Sequence, residues 1–246
     1  VIIAVTMPNV ALTIFIACLN EPARGRWEAA PPVAHWRTVL ATLRADARVL
    51  ALLYLAPSLI AVAEYSLYAW GPAMAMRRFA LPAAEAGTLV GSLALIATVS
   101  ATIGTGALGD RLSARGRADA LPRAGMLAAL LLLPVAITLT TRNRVLFFGA
   151  FNAGGFATVS AESIAILILQ NRLSSTTRGV GTALLSLMLA VFGLGLGAIL
   201  PPAIAPLFGS DPGTIVPSVC STAAAAGFLT LILFLSLSRK LRPARS

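Results

Sequence analysis

Apolar residues in this chain come in long unbroken runs rather than in stripes. Short breaks between the runs hold nearly all of the arginines. A helix that crosses a bilayer needs about 20 mostly apolar residues, because the hydrocarbon core is ~30 Å thick. Seven runs meet that length: Val1–Leu19, Arg48–Met74, Ala84–Gly109, Leu121–Thr141, Val145–Gln170, Gly179–Phe208 and Ile215–Leu237. Seven in series, joined by short breaks, argue against buried helices of a soluble domain, which show a polar face every turn. The pattern predicts an all-α, multi-pass membrane bundle.

Composition agrees. Of 246 residues, 58% are hydrophobic and 11% charged, against about 25% charged in an average soluble domain. Disorder, a collagen-like chain and an ordinary cytosolic enzyme are excluded. The net charge of +10 raises the question of a nucleic-acid partner. None is expected, because the cations sit in the breaks between spans and not on one polar face. Cys18 and Cys220 lie inside apolar runs and give neither a disulfide framework nor a metal spacing. No Walker motif is present. The expectation is a protein that is not an enzyme and uses no cofactor or metal. Lys240 is the only lysine, and together with the many alanines this points to a GC-rich bacterial source and a bacterial inner membrane.

The breaks alternate in charge. Arg24, Arg26, Arg37, Arg44, Arg48, Arg111, Arg115, Arg117, Arg123, Arg172, Arg178, Arg239, Lys240, Arg242 and Arg245 fall on one side, and only Arg77, Arg78, Arg142 and Arg144 on the other. The positive-inside rule makes the richer side cytoplasmic, with the basic tail 240–246 inside. The first run opens on Val in mid-apolar sequence and lacks the basic start of a signal peptide. Val1–Leu19 is therefore expected to be the last part of a helix that begins upstream. Residues 20–47 form the one long loop. Pro22, Pro31 and Pro32 make its first half irregular. Trp36, Val39, Leu40 and Leu43 predict an amphipathic surface helix over His35–Ala47. His35, the only histidine, reads as a surface residue.

Two glycine clusters stand out. Gly104-Thr-Gly106-Ala-Leu-Gly109 has the letters of a dinucleotide fingerprint but not its context, since the glycines end an apolar helix and no strand precedes them. Close packing of helices through small residues is the expectation. Gly193-Leu-Gly195-Leu-Gly197 belongs to the same class. Gly193 and Gly197 would form a GxxxG contact face, expected to meet helices outside this chain, and Pro201 and Pro202 would kink the helix beyond it.

The stretch Gly106-Ala-Leu-Gly-Asp110-Arg111-Leu-Ser-Ala-Arg115-Gly-Arg117 resembles the G-x-L-a-D-R-x-G-R-R loop of the major facilitator superfamily, with Ser113 and Ala114 in place of Gly-Arg. Glu21-Pro-Ala-Arg24-Gly-Arg26, Tyr68-Ala-Trp70-Gly-Pro72 through Arg77, and Arg178-Gly-Val with Phe192 through Gly197 resemble segments of its spinster-like branch, in the same order. The resemblance implies the C-terminal half of a twelve-helix carrier. Residues 1–19 would end helix six, 20–47 would be the central loop, and 48–239 would hold helices seven to twelve. It also implies a lock: Asp110 against the positive N-terminus of the eleventh helix near Arg178–Val180, with Arg178 as ion-pair partner. Gly106, Arg111 and Arg115 complete that motif.

Two acids, Glu64 and Glu162, lie inside spans. A charge near mid-bilayer costs about 2.5–3.5 kcal/mol on insertion scales, so each is a functional candidate. Pro57, Ala61 and Tyr68 share a helix face with Glu64, and Tyr65 is adjacent. Thr158 and Gly155 share the face of Glu162, with Asn152 and Ser163 beside it. Glu64, Tyr65, Tyr68, Asn152 and Glu162 are the candidates for substrate contact or proton coupling. The alternative for either acid is a carboxyl hydrogen-bonded inside the bundle with no transport role. The implied function is secondary transport of a small organic solute, amphipathic or lipid-like, by alternating access, with protons as the candidate coupling ion. The expected partners are that solute, the lipid bilayer and the missing N-terminal half. The competing reading is a membrane sensor or scaffold that keeps the carrier fold without transport.

Overall fold

The computed structural model describes residues 2–19, 44, 46–116 and 120–241. Most of the predicted helix over His35–Ala47, Arg117 and most of the basic tail lie outside them. Among the described residues the chain is helical throughout. Helix α1 covers Ile2–Ala17, α2 Ala47–Phe79, α3 Ala83–Ala114, α4 Leu121–Thr138, α5 Arg144–Arg172 and α6 Ser175–Leu189. A π-helical segment, Ala190–Gly197, continues α6 into a short α7, Ala198–Ile204, and after two 3-10 turns α8 runs over Ile215–Lys240. Among the described residues, six stretches are long and apolar enough to span a membrane. The first run forms only the 16-residue α1, whose residues Val10–Ala17 are all exposed.

The ends of the helices follow local chemistry. Ala80 takes a left-handed conformation (φ 50°) and stops α2 just ahead of Pro82. Arg77 and Arg78 in that last turn reach other segments, donating to the Pro212 and Thr141 carbonyls at 2.8 and 3.1 Å. Asn143 caps α5, its side-chain oxygen accepting from the Val145 and Leu146 amides at 3.0 and 3.1 Å. Glu85 and Arg144 pair across the same end, between α3 and α5.

Helix α2 is the centre of the bundle. It packs on α8, α5 and the π segment, and less extensively on α3, α6 and α7. Helix α5 carries α3 and α4 on its other sides, and α4 closes onto α8. One apolar cluster joins Leu53, Ile60, Leu169, Phe234 and Leu237, and a second joins Leu67, Met74, Phe147, Phe151 and Val219. In lipid the driving force for such packing is contact and hydrogen bonding rather than removal of apolar surface from water.

The contact of α2 with the π segment shows this most clearly. Pro201 and Pro202 have no amide hydrogen, so the carbonyls four residues earlier, Gly197 and Ala198, lose their helical donors. In a bilayer no water replaces them. Ser66 donates to the Gly197 carbonyl at 2.8 Å and Trp70 Nε1 to the Ala198 carbonyl at 3.1 Å. Both donors come from α2. The backbones can approach that closely because Gly193 and Gly197 face it: a Cβ on Gly193 would lie 2.6 Å from the Tyr65 ring, and one on Gly197 would lie 2.9 Å from the Val62 carbonyl. The GxxxG face is thus filled by α2 of this chain, which corrects the expectation that it meets helices elsewhere. Gly104 and Gly106 depart from expectation too. A Cβ on either would meet nothing within 4 Å among the described residues, and only Gly109 of that cluster is close-packed, 3.0 Å from Leu167.

Candidate functional site

Glu64 and Glu162 stand near the middles of α2 and α5. The two helices pack against each other and bring the carboxyl groups within electrostatic reach of one another, without a well-formed hydrogen bond between them. Both side chains are half-buried, and Glu64 Oε2 is buried with no hydrogen-bond partner. Two carboxylates offer only acceptors, so a hydrogen bond between them would need one proton held by the pair. Every arginine and Lys240 among the described residues belongs to a helix end or a connection, so no cation of these spans sits beside the pair.

Two tyrosines complete the cluster. Tyr65 and Tyr68 both lie within electrostatic reach of the acids. The Tyr65 ring is wedged on Gly193, and its Cβ lies against Gly197. The Tyr68 hydroxyl packs over Gly155, where a Cβ would come within 2.8 Å, and it is buried facing Thr98 without a well-formed hydrogen bond. Pro57 and Ala61, on the same stripe of α2, are buried. Glu64 and Tyr68 continue that stripe to the uncovered side. Thr158 bonds its own helix, at the Gly155 carbonyl. The Asn152 amide donates to the Leu93 carbonyl at 3.0 Å, so it ties α5 to α3 and stands apart from the acids.

The lock motif is not closed within this chain. Asp110 is exposed and forms no hydrogen bond or ion pair with a described residue. Arg178 turns back to the Leu173 carbonyl at 3.5 Å. The reason is topological. Helix α3 is held by α5 and α2, whereas α6 is held mainly by α2 and the π segment, so the end of α3 and the start of α6 are not brought together. Gly106, Arg111 and Arg115 follow α3 and do not meet α6 either.

Sequence reasoning did not find the donors Ser66 and Trp70. The signal was present in the double proline, which marks the two carbonyls one turn upstream as needing partners. Among the described residues no three His, Cys, Asp or Glu side chains come together as metal ligands would.

No family model matches the chain, and no curated protein matches it in sequence. Solved structures do. The chain is similar to a bacterial homolog of the human lysosomal transporter Spinster in its inward-facing, unoccupied conformation, at a TM-score of 0.69 and 19% identity, over 99% of this chain and 60% of that one. The inward-facing, occupied conformation of such a homolog gives a TM-score of 0.60 at 16% identity, over 97% and 57%. The chain therefore spans about 60% of the length of those transporters. At that identity the likeness is one of fold: an all-helical, multi-pass bundle shared with part of those transporter structures.

Proposed function

We propose that this chain forms the C-terminal part of a secondary carrier that moves a small organic, amphipathic solute by alternating access. The Glu64–Glu162 pair is its proton-coupling element. The observation that carries the reading is the meeting of these two acids, from spans 98 residues apart in sequence, near the middle of the bundle. An isolated intramembrane acid needs a partner or a function. Two neighbouring half-buried carboxyls repel when both are ionised, so a proton held by one can be released when a solute or a change of packing separates them. Tyr65 and Tyr68 give the site an apolar body with polar tips, which suits an amphipathic solute. The N-terminal half of the carrier, a cytoplasmic C-terminus and a bacterial inner membrane belong to the same proposal, supported by the loop charges and by the transporters that share the fold.

The test is transport by the complete carrier in proteoliposomes, with Glu64→Gln and Glu162→Gln as variants. Glutamine keeps the shape and removes the titratable proton. Uptake driven by a pH gradient should be lost in either variant, while exchange of solute for solute persists. Intact pH-driven uptake in both would refute the coupling role. Absence of transport under every gradient, with binding retained, would favour the sensor reading.

A further inference from the structure

Helices α3 and α4 both pack on α5 but scarcely on each other. They leave a groove of about 510 Å³ between them, walled by Leu108 and Leu131 and floored by Phe156, Ser160 and Ile164 of α5. Arg111 stands at its mouth. The floor residues recur every four positions, and Glu162 follows Ser160 by two, which is ~200° round the helix. The groove and the carboxyl pair are therefore on different sides of α5. Inside the groove Ser160 is 6% exposed, and its hydroxyl has no hydrogen-bond partner. A buried hydroxyl in an apolar wall needs an acceptor.

The spacing of the polar groups identifies the occupant. Ala97 lies opposite Gly155 and Gly109 opposite Leu167, so α3 and α5 run in step and Ser160 is level with residue 102. Arg111 is nine residues further along, ~13 Å of rise, and its side chain leans back toward the start of α3, into the groove. The remaining gap is about that between the phosphate of a glycerophospholipid and its ester carbonyls. Arg115 and Arg123 stand at the same end, exposed, and the exposed Asp110 is the opposing charge among the described residues there. We propose that this groove holds one anionic glycerophospholipid, its phosphate on Arg111, an ester carbonyl accepting from Ser160 and an acyl chain along the leucines. Such a lipid would bridge α3 to α4, two helices that the protein itself barely joins.

Native mass spectrometry of the purified protein, titrated with phosphatidylglycerol or with phosphatidylcholine, reads this directly. Phosphatidylglycerol should remain bound where phosphatidylcholine dissociates. Arg111→Gln should lower its retention about tenfold or more, the effect of losing one charged hydrogen-bond partner. Ser160→Leu should fill the floor and remove the bound lipid of either headgroup. Glu64→Gln should leave the lipid count unchanged. Arg111 is exposed, so its variant stays readable even where Ser160→Leu folds poorly. Equal retention of phosphatidylglycerol by the wild type and Arg111→Gln would overturn the proposal. So would equal retention of the two lipids, loss of the lipid in Glu64→Gln, or a second copy of the chain held at the groove in place of lipid.

Discussion

Helices α2 and α3 follow one another, have 33 and 32 residues, and are both apolar enough to span a bilayer. One is the axis of the bundle and the other its edge: in their most apolar stretches 61% of α2 is buried and 22% of α3. Hydropathy does not separate them. Their polar and small residues do. On α2, Tyr54, Ser66 and Trp70 donate to the carbonyls of Gly181, Gly197 and Ala198 on another span. On α3, Thr88 and Ser100 bond only carbonyls of α3 itself. Glycines repeat the contrast, since those facing α2 are crowded and Gly104 and Gly106 of α3 are open. In lipid, where apolar contact alone does not discriminate between neighbours, cross-helix hydrogen bonds and close backbone approach decide which helix becomes central.

The sharpest way to break the contrast is to crowd the α2 contact. Gly197→Leu drives a side chain into the Val62 carbonyl and Tyr65, and backbone cannot yield as a side chain can. The expected loss is at least the 1–3 kcal/mol of an overpacked core, about enough to abolish a folded peak in fluorescence-detected size exclusion. Survival of Gly197→Leu at wild-type melting temperature would show that α6 and the π segment are not held by α2.

A smaller loss is expected from Ser66→Ala, which leaves the Gly197 carbonyl without a donor in an apolar setting, about 1–3 kcal/mol in a thermal or denaturant unfolding curve. The same substitution sharpens the comparison when combined with Pro201→Ala. Alanine restores the missing amide hydrogen to the helix, so Ser66→Ala should cost less in that background. Equal losses in both backgrounds would remove the proline explanation.

On the α3 side the effects should be small and of either sign. Thr88→Ala removes a bond that the helix makes to itself and should stay within about ±0.5 kcal/mol. Gly104→Ala should stabilise by ~0.5–1 kcal/mol, because alanine meets nothing there and restricts the unfolded chain. Destabilisation by Gly104→Ala in the isolated chain would mean that this face is packed after all.

The chain's own pattern was enough to place the six long spans, because the length and polarity of a spanning helix are one-dimensional properties imposed by the bilayer. The helix ends at Ala80–Pro82 and Asn143 have local signals in proline and capping chemistry, but the apolar runs alone stopped short of them, at Met74 and Ala84. The fold followed from the order of local motifs. The glycine motifs show the limit. Gly104-x-Gly106 and Gly193-x-Gly195-x-Gly197 read alike, yet one lies open and the other is filled by Tyr65 and the α2 backbone. The Asp110–Arg178 contact is absent in this structure for a related reason: the local residues are present, but their helices are held by different neighbours.

Sequence by itself determined that this protein is a multi-pass membrane bundle, roughly where its long helices run, and that two acids fall inside predicted spans. Only the tertiary structure decided that those acids meet, that Asn152 serves α3 instead of the site, and that Ser66 and Trp70 complete the backbone Pro201 and Pro202 interrupt. Span length and polarity are summed along the chain and need no neighbour. A contact depends on how each helix is rotated and which helix lies against it, and those are settled only when all the faces are packed at once.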